Sequence, residues 1–551
     1  MQDLLLFDAN CMIGGRAWRR PREIRDVGEL LADLEYHDIH AALVHHAAAA
    51  GYSQDYGNRR LLDEIAGHPR LVPQWVLLPH HTHEMAPADE LVSEMLALNV
   101  RAARLFPRSQ GFGTSDAVCG ALLAKLQEHR LPLFVDLAEV SVPEAVGLCQ
   151  RYPHLPVVLC GMDWSHDRLL YALLPTVPNL VLDTWAFQGH RAYERFVKAF
   201  GADRLLFSTG LPERSPGAAR MMVVYEQIDE AARRNIGAVN LLRLLADVRG
   251  ASGPAPDLRP YPASEGGEPP VDPIIAQVRA GQPLRDELVI DAHAHLGHPG
   301  CMGVYEWAIA HDDADGLVAT MDRLGINLAC ASSWGTLAFG DEAGNDVAVA
   351  AKAKYPGRIC PYGSANPNHP GLVEAELARV FESGLVCGFK PYPKWHHVPL
   401  TDPRNRPLLE FCHRKRRPVL CHMYFDERDS VIPDHVDRLA AEYPGASFLC
   451  GHAGQSWEMA AEVVRVARKH ANLFAEITYP GPLYAMVEYL AEEIGPERVL
   501  FGTDCVMQDA APQLGWVAWA RLPVTAKRLI LGRNMARILG NAGEAVAAPG
   551  V

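Results

Sequence analysis

With 551 residues, 49% of them hydrophobic and 21% charged, the chain is long enough for two domains with full cores and has the composition of a folded globular protein. A net charge of −14 argues against nucleic acid or an anionic membrane as its main partner, and no run approaches the ~18 apolar residues of a membrane helix. The twelve cysteines make no close CxxC pair and several lie inside apolar runs (Cys160, Cys421, Cys450), so a reducing, cytoplasmic setting is expected.

In chain order, "LLLFDANCMIGG" (4–15) is an apolar strand that runs into Asp-Ala and a glycine turn. Short apolar runs follow at "AARLFP" (102–107), "LPLFVD" (131–136), "VLCGMDW" (158–164), "NLVLDTW" (179–185) and "DRLLFSTG" (203–210), with "IGAVNLLRLL" (236–245) closing the series. Residues 250–285 open with a stretch rich in proline and glycine, the signature of an exposed linker. Then "ELVIDAHAHLG" (287–297) rewrites the first phrase. "GFKPYP" (388–393), "RPVLCH" (417–422), "FLCGHAG" (448–454), "NLFAEIT" (472–478), "ERVLFGTD" (497–504) and "ILGRNMARIL" (530–539) repeat the others in the same order. The offset between matched residues climbs from 283 at Asp8/Asp291 through 286 and 290 to 294 at Gly210/Asp504, as a duplication with small loop insertions requires. Arg414–Arg417, a basic run just before a strand, reads as a solvated helix C-terminus.

Continuous apolar strands alternating with helix-period segments such as "GLVEAELARVFESG" indicate a parallel sheet covered on its outside. Eight such runs in the second half, with the first half as its repeat, predict an α/β chain of two tandem (β/α)8 TIM barrels, at 1–249 and 286–541, with a tail at 542–551.

Such barrels work at the C-terminal ends of their strands. There the second copy places Asp291, His293 and His295 on strand 1, Lys390 on strand 4, His422 on strand 5, His452 on strand 6 and Asp504 on strand 8. Residues i and i+2 of a strand face the same way, so His293 and His295 both turn into the mouth. Imidazoles and a carboxylate suit zinc, or manganese or another first-row divalent ion, and such an ion makes bound water acidic enough to attack at neutral pH.

These residues and the phrases "DAHAHLG", "GFKPYP", "CH", "GHAG" and "GTD" resemble the amidohydrolase superfamily, in its amidohydrolase-2 branch of metal-dependent hydrolases and non-oxidative decarboxylases. The resemblance implies that His293, His295, His422 and Asp504 hold the ion and that His452 acts beside its water, with Asp504 as a second proton acceptor. It leaves Lys390 either as a free amine that binds a substrate anion, the preferred reading, or as a carboxylated bridge to a second metal. Trp395, His396 and their neighbours Lys394 and His397 would suit an anionic or cyclic substrate. Hydrolysis of a small molecule is the leading expectation and decarboxylation the alternative.

In the first copy the matching positions read Asn10, Met12, Arg104, Asp136, Met162 and Gly210, which cannot assemble the same centre. His45 and His46 after its strand 2 and His80, His81 and His83 after its strand 3 could build a different metal site, though solvent-facing side chains are the simpler reading. The resemblance implies a family homodimer fused into one chain, with the emptied barrel as partner and Arg168 as a residue it offers to the second site.

Overall fold

Valine, leucine, isoleucine and alanine fill the short runs between helices, and runs apolar on both faces can only be stable inside a parallel sheet. The computed structural model describes residues 4–15, 20–258, 272–297, 301–304, 307–310, 313–339, 342–425 and 431–546. The chain divides into two units, Met1–Pro269 with Tyr305–Ala308 and Pro270–Val304 with Ile309–Val551.

In the first unit the parallel strands are Phe7–Ile13, Ala41–His46, Leu71–Pro73 continued by Trp75–Val76, Ala103–Leu105, Leu133–Asp136, Val157–Cys160, Leu180–Asp183 and Leu205–Leu206. Ala9 N–H donates to the Phe207 carbonyl at 2.9 Å, which joins the last strand to the first. The second unit repeats the plan with Ile290–Leu296, Leu328–Ser333, Tyr362–Gly363, Gly388–Phe389, Pro418–His422, Ser447–Gly451, Leu473–Glu476 and Val499–Leu500. Cys360 N–H to the Ala329 carbonyl (2.9 Å) carries the ladder from its second strand to its third, and Ala292 N–H to the Phe501 carbonyl (3.0 Å) closes it. Each unit is therefore a (β/α)8 barrel, and its strands are numbered 1 to 8 below.

The barrel interiors are packed. Phe7, Leu43, Phe134 and Leu206 meet in the first, and Ile290, Tyr362, Leu420 and Leu500 in the second. Amphipathic helices cover the outside, and local capping fixes their starts: the Ser456 hydroxyl accepts from Met459 N–H ahead of Trp457–Ala467. The basic run ends the helix Arg406–Lys415, as its sequence suggests. Among the described residues no helix is long and apolar enough to cross a membrane.

The linker expectation needs amending. Residues 259–271, like 547–551 of the tail, lie outside the described residues. Gly253 and Pro254 are held to the first unit by Arg101 and Asn99. Pro273–Arg279 is a helix that buries Ile274, Ile275 and Val278, because that apolar spacing gives a short helix one inward face.

Both barrels close with the same side-chain clasp. In the second, Asp291 Oδ1 accepts from the N–H groups of His293 and Thr503, each at 3.0 Å, and Oδ2 accepts from the Thr503 hydroxyl at 2.5 Å. In the first, Asp8 receives Asn10 N–H, Thr209 N–H and the Thr209 hydroxyl in the same pattern. Asp291 is thus a seam residue between strands 1 and 8, buried under the mouth, and burial pushes its carboxyl up to about 8. Replacing Thr503 by Val removes one donor from a buried carboxyl group and is expected to cost about 1.5–3 kcal/mol. Calorimetry should show a lower Tm for Thr503→Val and for Thr209→Val, and near-normal melting for Thr503→Ser.

Candidate metal centre

Strand 1 carries His293 and His295 side by side, both fully buried, with ring centroids 5.3 Å apart. Strand 8 delivers Asp504 beside them. Its Oδ1 lies 2.8 Å from His295 Nε2 and 3.4 Å from His293 Nε2. One ligand atom each from His293, His452 and Asp504 falls within 4.8 Å of the others.

Neighbours fix which nitrogen each ring presents. His293 Nδ1 donates to Glu476 Oε2 at 2.8 Å, His452 Nδ1 donates to the Thr478 carbonyl at 2.8 Å, and His295 Nδ1 lies 3.2 Å from the Ser332 hydroxyl. In each ring this turns Nε2 inward. A carboxylate or carbonyl behind a ligating imidazole sets its tautomer and raises its basicity. Burial lowers the basicity of His293 and takes His452 down to about 4, so the rings are neutral, the form that binds a metal. Two of these residues, His452 and Asp504, hold left-handed backbone (φ 63° and 62°), which a non-glycine residue adopts at some cost. This donor set fits one first-row divalent ion.

Lys390 rises from the end of strand 4, 1% exposed, and its Nζ donates to His293 Nε2 at 2.8 Å. Burial lowers the amine to about 8, with Asp504 and Glu476 opposing that shift. His422 flanks the donor group: its ring is 4.3 Å from that of His452, and its Nδ1 is buried with no hydrogen-bond partner among the described residues.

The rest of the mouth is aromatic. Trp334 stacks on His295 at 3.9 Å, and successive ring contacts run from Trp334 to Trp395 (6.3 Å), Tyr392 (4.3 Å) and His422 (5.3 Å). His422, His452, His293 and His295 complete the circuit, so seven rings close on themselves. Of the loop after strand 4, Trp395 joins this circuit, whereas buried His396 turns to the Leu337 backbone. Lys394 and His397 are exposed. Arg168 is exposed on helix Asp167–Leu173 of the first unit.

Glu476 and Trp334 escape a reading based on ligand types. One signal was present for Glu476: both copies end strand 7 in a carboxylate, Asp183 in the first.

In the first barrel Asp183 bonds Asn10 at 3.0 Å where Glu476 bonds His293, and burial pushes its carboxyl up to about 7. Arg104 occupies the centre, donating to Asp136 (2.7 Å), Asn10 (2.8 Å) and Gln74 (2.9 Å). Above it the Arg214 guanidinium stacks on Trp185 at 4.8 Å, over Gly210. A Cβ at Gly210 would come within 3.1 Å of Arg214 and 3.3 Å of Trp185. Among the surplus histidines, His46 is buried as a helix cap, its Nδ1 accepting from Ala48 N–H.

A closed parallel barrel whose mouth gathers neutral imidazoles, a carboxylate and a buried amine defines a metal-binding enzyme. The chain belongs to the amidohydrolase family, whose amidohydrolase-2 profile matches twice, over residues 19–246 and 260–540. Comparison with curated proteins returns no match. Similar solved structures include a 5-carboxyvanillate decarboxylase from Sphingomonas paucimobilis, at 20% identity over 40% of this chain and 82% of that one, TM-score 0.34. Others are a 2,6-dihydroxybenzoate decarboxylase from Rhizobium (17%, 46% and 99%, TM-score 0.38) and a putative amidohydrolase from Staphylococcus aureus (13%, 46% and 99%, TM-score 0.36).

Glu476→Gln keeps the shape of the side chain and removes the charge behind His293. Metal affinity, followed by competition with a chromogenic chelator, is expected to fall about 10–100-fold while the far-ultraviolet dichroism is unchanged.

Proposed function

We propose that the C-terminal barrel is a metal-dependent carboxy-lyase acting on a planar ring acid, a reading that displaces hydrolysis of a small molecule. The observation that carries it is Lys390, a buried amine at the metal centre and within a circuit of aromatic rings. A buried ammonium calls for an anion, and ring walls select a flat molecule to bear it. A carboxylate between Lys390 and the ion would lose its water against Trp334, Tyr392 and Trp395. Transfer from water to such a dry site favours the release of uncharged CO2.

His293, His295 and Asp504 would hold the ion, with His422 as the strand spacing suggests; His452, one ring nitrogen of which lies within 4.8 Å of ligand atoms of His293 and Asp504, is the rival for that last place. When bound, it supplies Lewis-acid polarisation of the substrate oxygens. The identity of the ion is left at a first-row divalent cation. Lys390 binds and orients the carboxylate as a free amine. His452, its Nδ1–H fixed on the Thr478 carbonyl, has an unprotonated Nε2 that would take a proton from water and pass it to the carbon as CO2 leaves.

The first barrel is proposed to be catalytically idle, because the Arg104 guanidinium and the Trp185 ring take up the space corresponding to the centre.

Ring acids labelled in the carboxyl carbon, offered to the metal-loaded protein, should release labelled CO2, and oxygen-18 from water should not enter the organic product. Oxygen-18 incorporation without CO2 would restore hydrolysis. Lys390→Met should raise KM more than it lowers kcat. His422→Asn should lose stoichiometric metal, whereas His452→Asn should keep the metal and lose turnover; the opposite pattern would exchange their roles.

A further inference from the structure

The first barrel keeps a cavity at the end where the second barrel does its chemistry. It measures about 480 Å³, within the range of small-molecule sites, and is formed by the loops after strands 2, 3 and 4. In the second barrel the same three loops carry Trp334, Ser364 and Trp395, and Trp334 there stacks on His295.

The wall chemistry is specific. Leu78 and Phe112 supply apolar surface, and Glu84 is the one Asp, Glu, Lys or Arg among the lining residues. The Glu84 carboxylate accepts from the Thr82 hydroxyl, a neutral donor that leaves its charge in place. Gln110 donates its Nε2 to the Ala50 carbonyl at 3.0 Å, which ties the loop after strand 4 to the loop after strand 2. At the rim Tyr52 is 81% exposed and meets Tyr56, 50% exposed, edge to face at 6.0 Å. His81 of the "PHHTHE" run also lines the cavity, with Nε2 on the Val118 carbonyl.

A carboxylate and an open tyrosine face share one complement: a cation with apolar bulk. Cations over aromatic faces are drawn to the ring's negative face, and a carboxylate adds attraction that a neutral ligand does not feel. An anion would meet only repulsion from Glu84. We propose that this cavity of the first barrel binds a small organic ammonium ion, so that the copy stripped of ligating residues remains a receptor for a second, cationic small molecule.

The test uses the full-length protein, benzylammonium chloride as probe and benzyl alcohol as its uncharged counterpart, titrated by calorimetry at fixed ionic strength. Benzylammonium should bind saturably and at least about tenfold more tightly than the alcohol. Glu84→Gln and Tyr52→Ala, both on exposed side chains, should each weaken it about tenfold without changing the Tm or the metal content. Equal affinity for the two probes, affinity unchanged in both variants, or no saturable binding up to about 10 mM would overturn the proposal.

Discussion

The centre depends on a buried, hydrogen-bonded aspartate that stands outside the group of candidate ligands. Asp291 ties strand 8 to strand 1 through Thr503 and through the backbone of His293, so the two histidines of strand 1 and the loop bearing Asp504 are set in register by one carboxyl group. The residue pair Asp8–Thr209 does the same in the first barrel. This explains why "DA" survives in both phrases while the histidines do not. The aspartate belongs to barrel closure, which both copies must satisfy, and the histidines belong to chemistry.

Above that seam the two mouths solve one electrostatic problem in different ways. Several buried polar strand ends face each other and need a positive centre. In the second barrel neutral imidazoles, backed by Glu476 and Thr478, are arranged for a metal ion. In the first, Arg104 brings its own charge and donates to Asp136, Asn10 and Gln74 in directions a planar guanidinium allows. The strand 7 carboxylate is kept in both, on His293 in one and on Asn10 in the other.

Much of this was legible in the sequence. The period of the repeat, the barrel class and the residues His293, His295, His452, Asp504 and Lys390 at one mouth follow from strand ends and i, i+2 spacing. Four features were not. Asp291 looks like a mouth residue because spacing does not reveal that a strand 8 threonine caps it. Glu476 sits in an apolar run as an ordinary strand residue, and its role depends on a contact across 183 positions of sequence. Trp334 follows strand 2 with no motif around it, so only folding shows it stacked on His295. The helix Pro273–Arg279 was hidden by the proline- and glycine-rich residues before it, which dominate any local count.

The left-handed backbone at Asp504 has a counterpart in the first barrel. At the matching place Gly210 takes the same conformation freely, with φ 73°. Trp185 and Arg214 lie where a side chain at this position would have to go. An aspartate in place of Gly210 would have to displace both and hold a strained backbone, so a single substitution cannot copy the second mouth into the first.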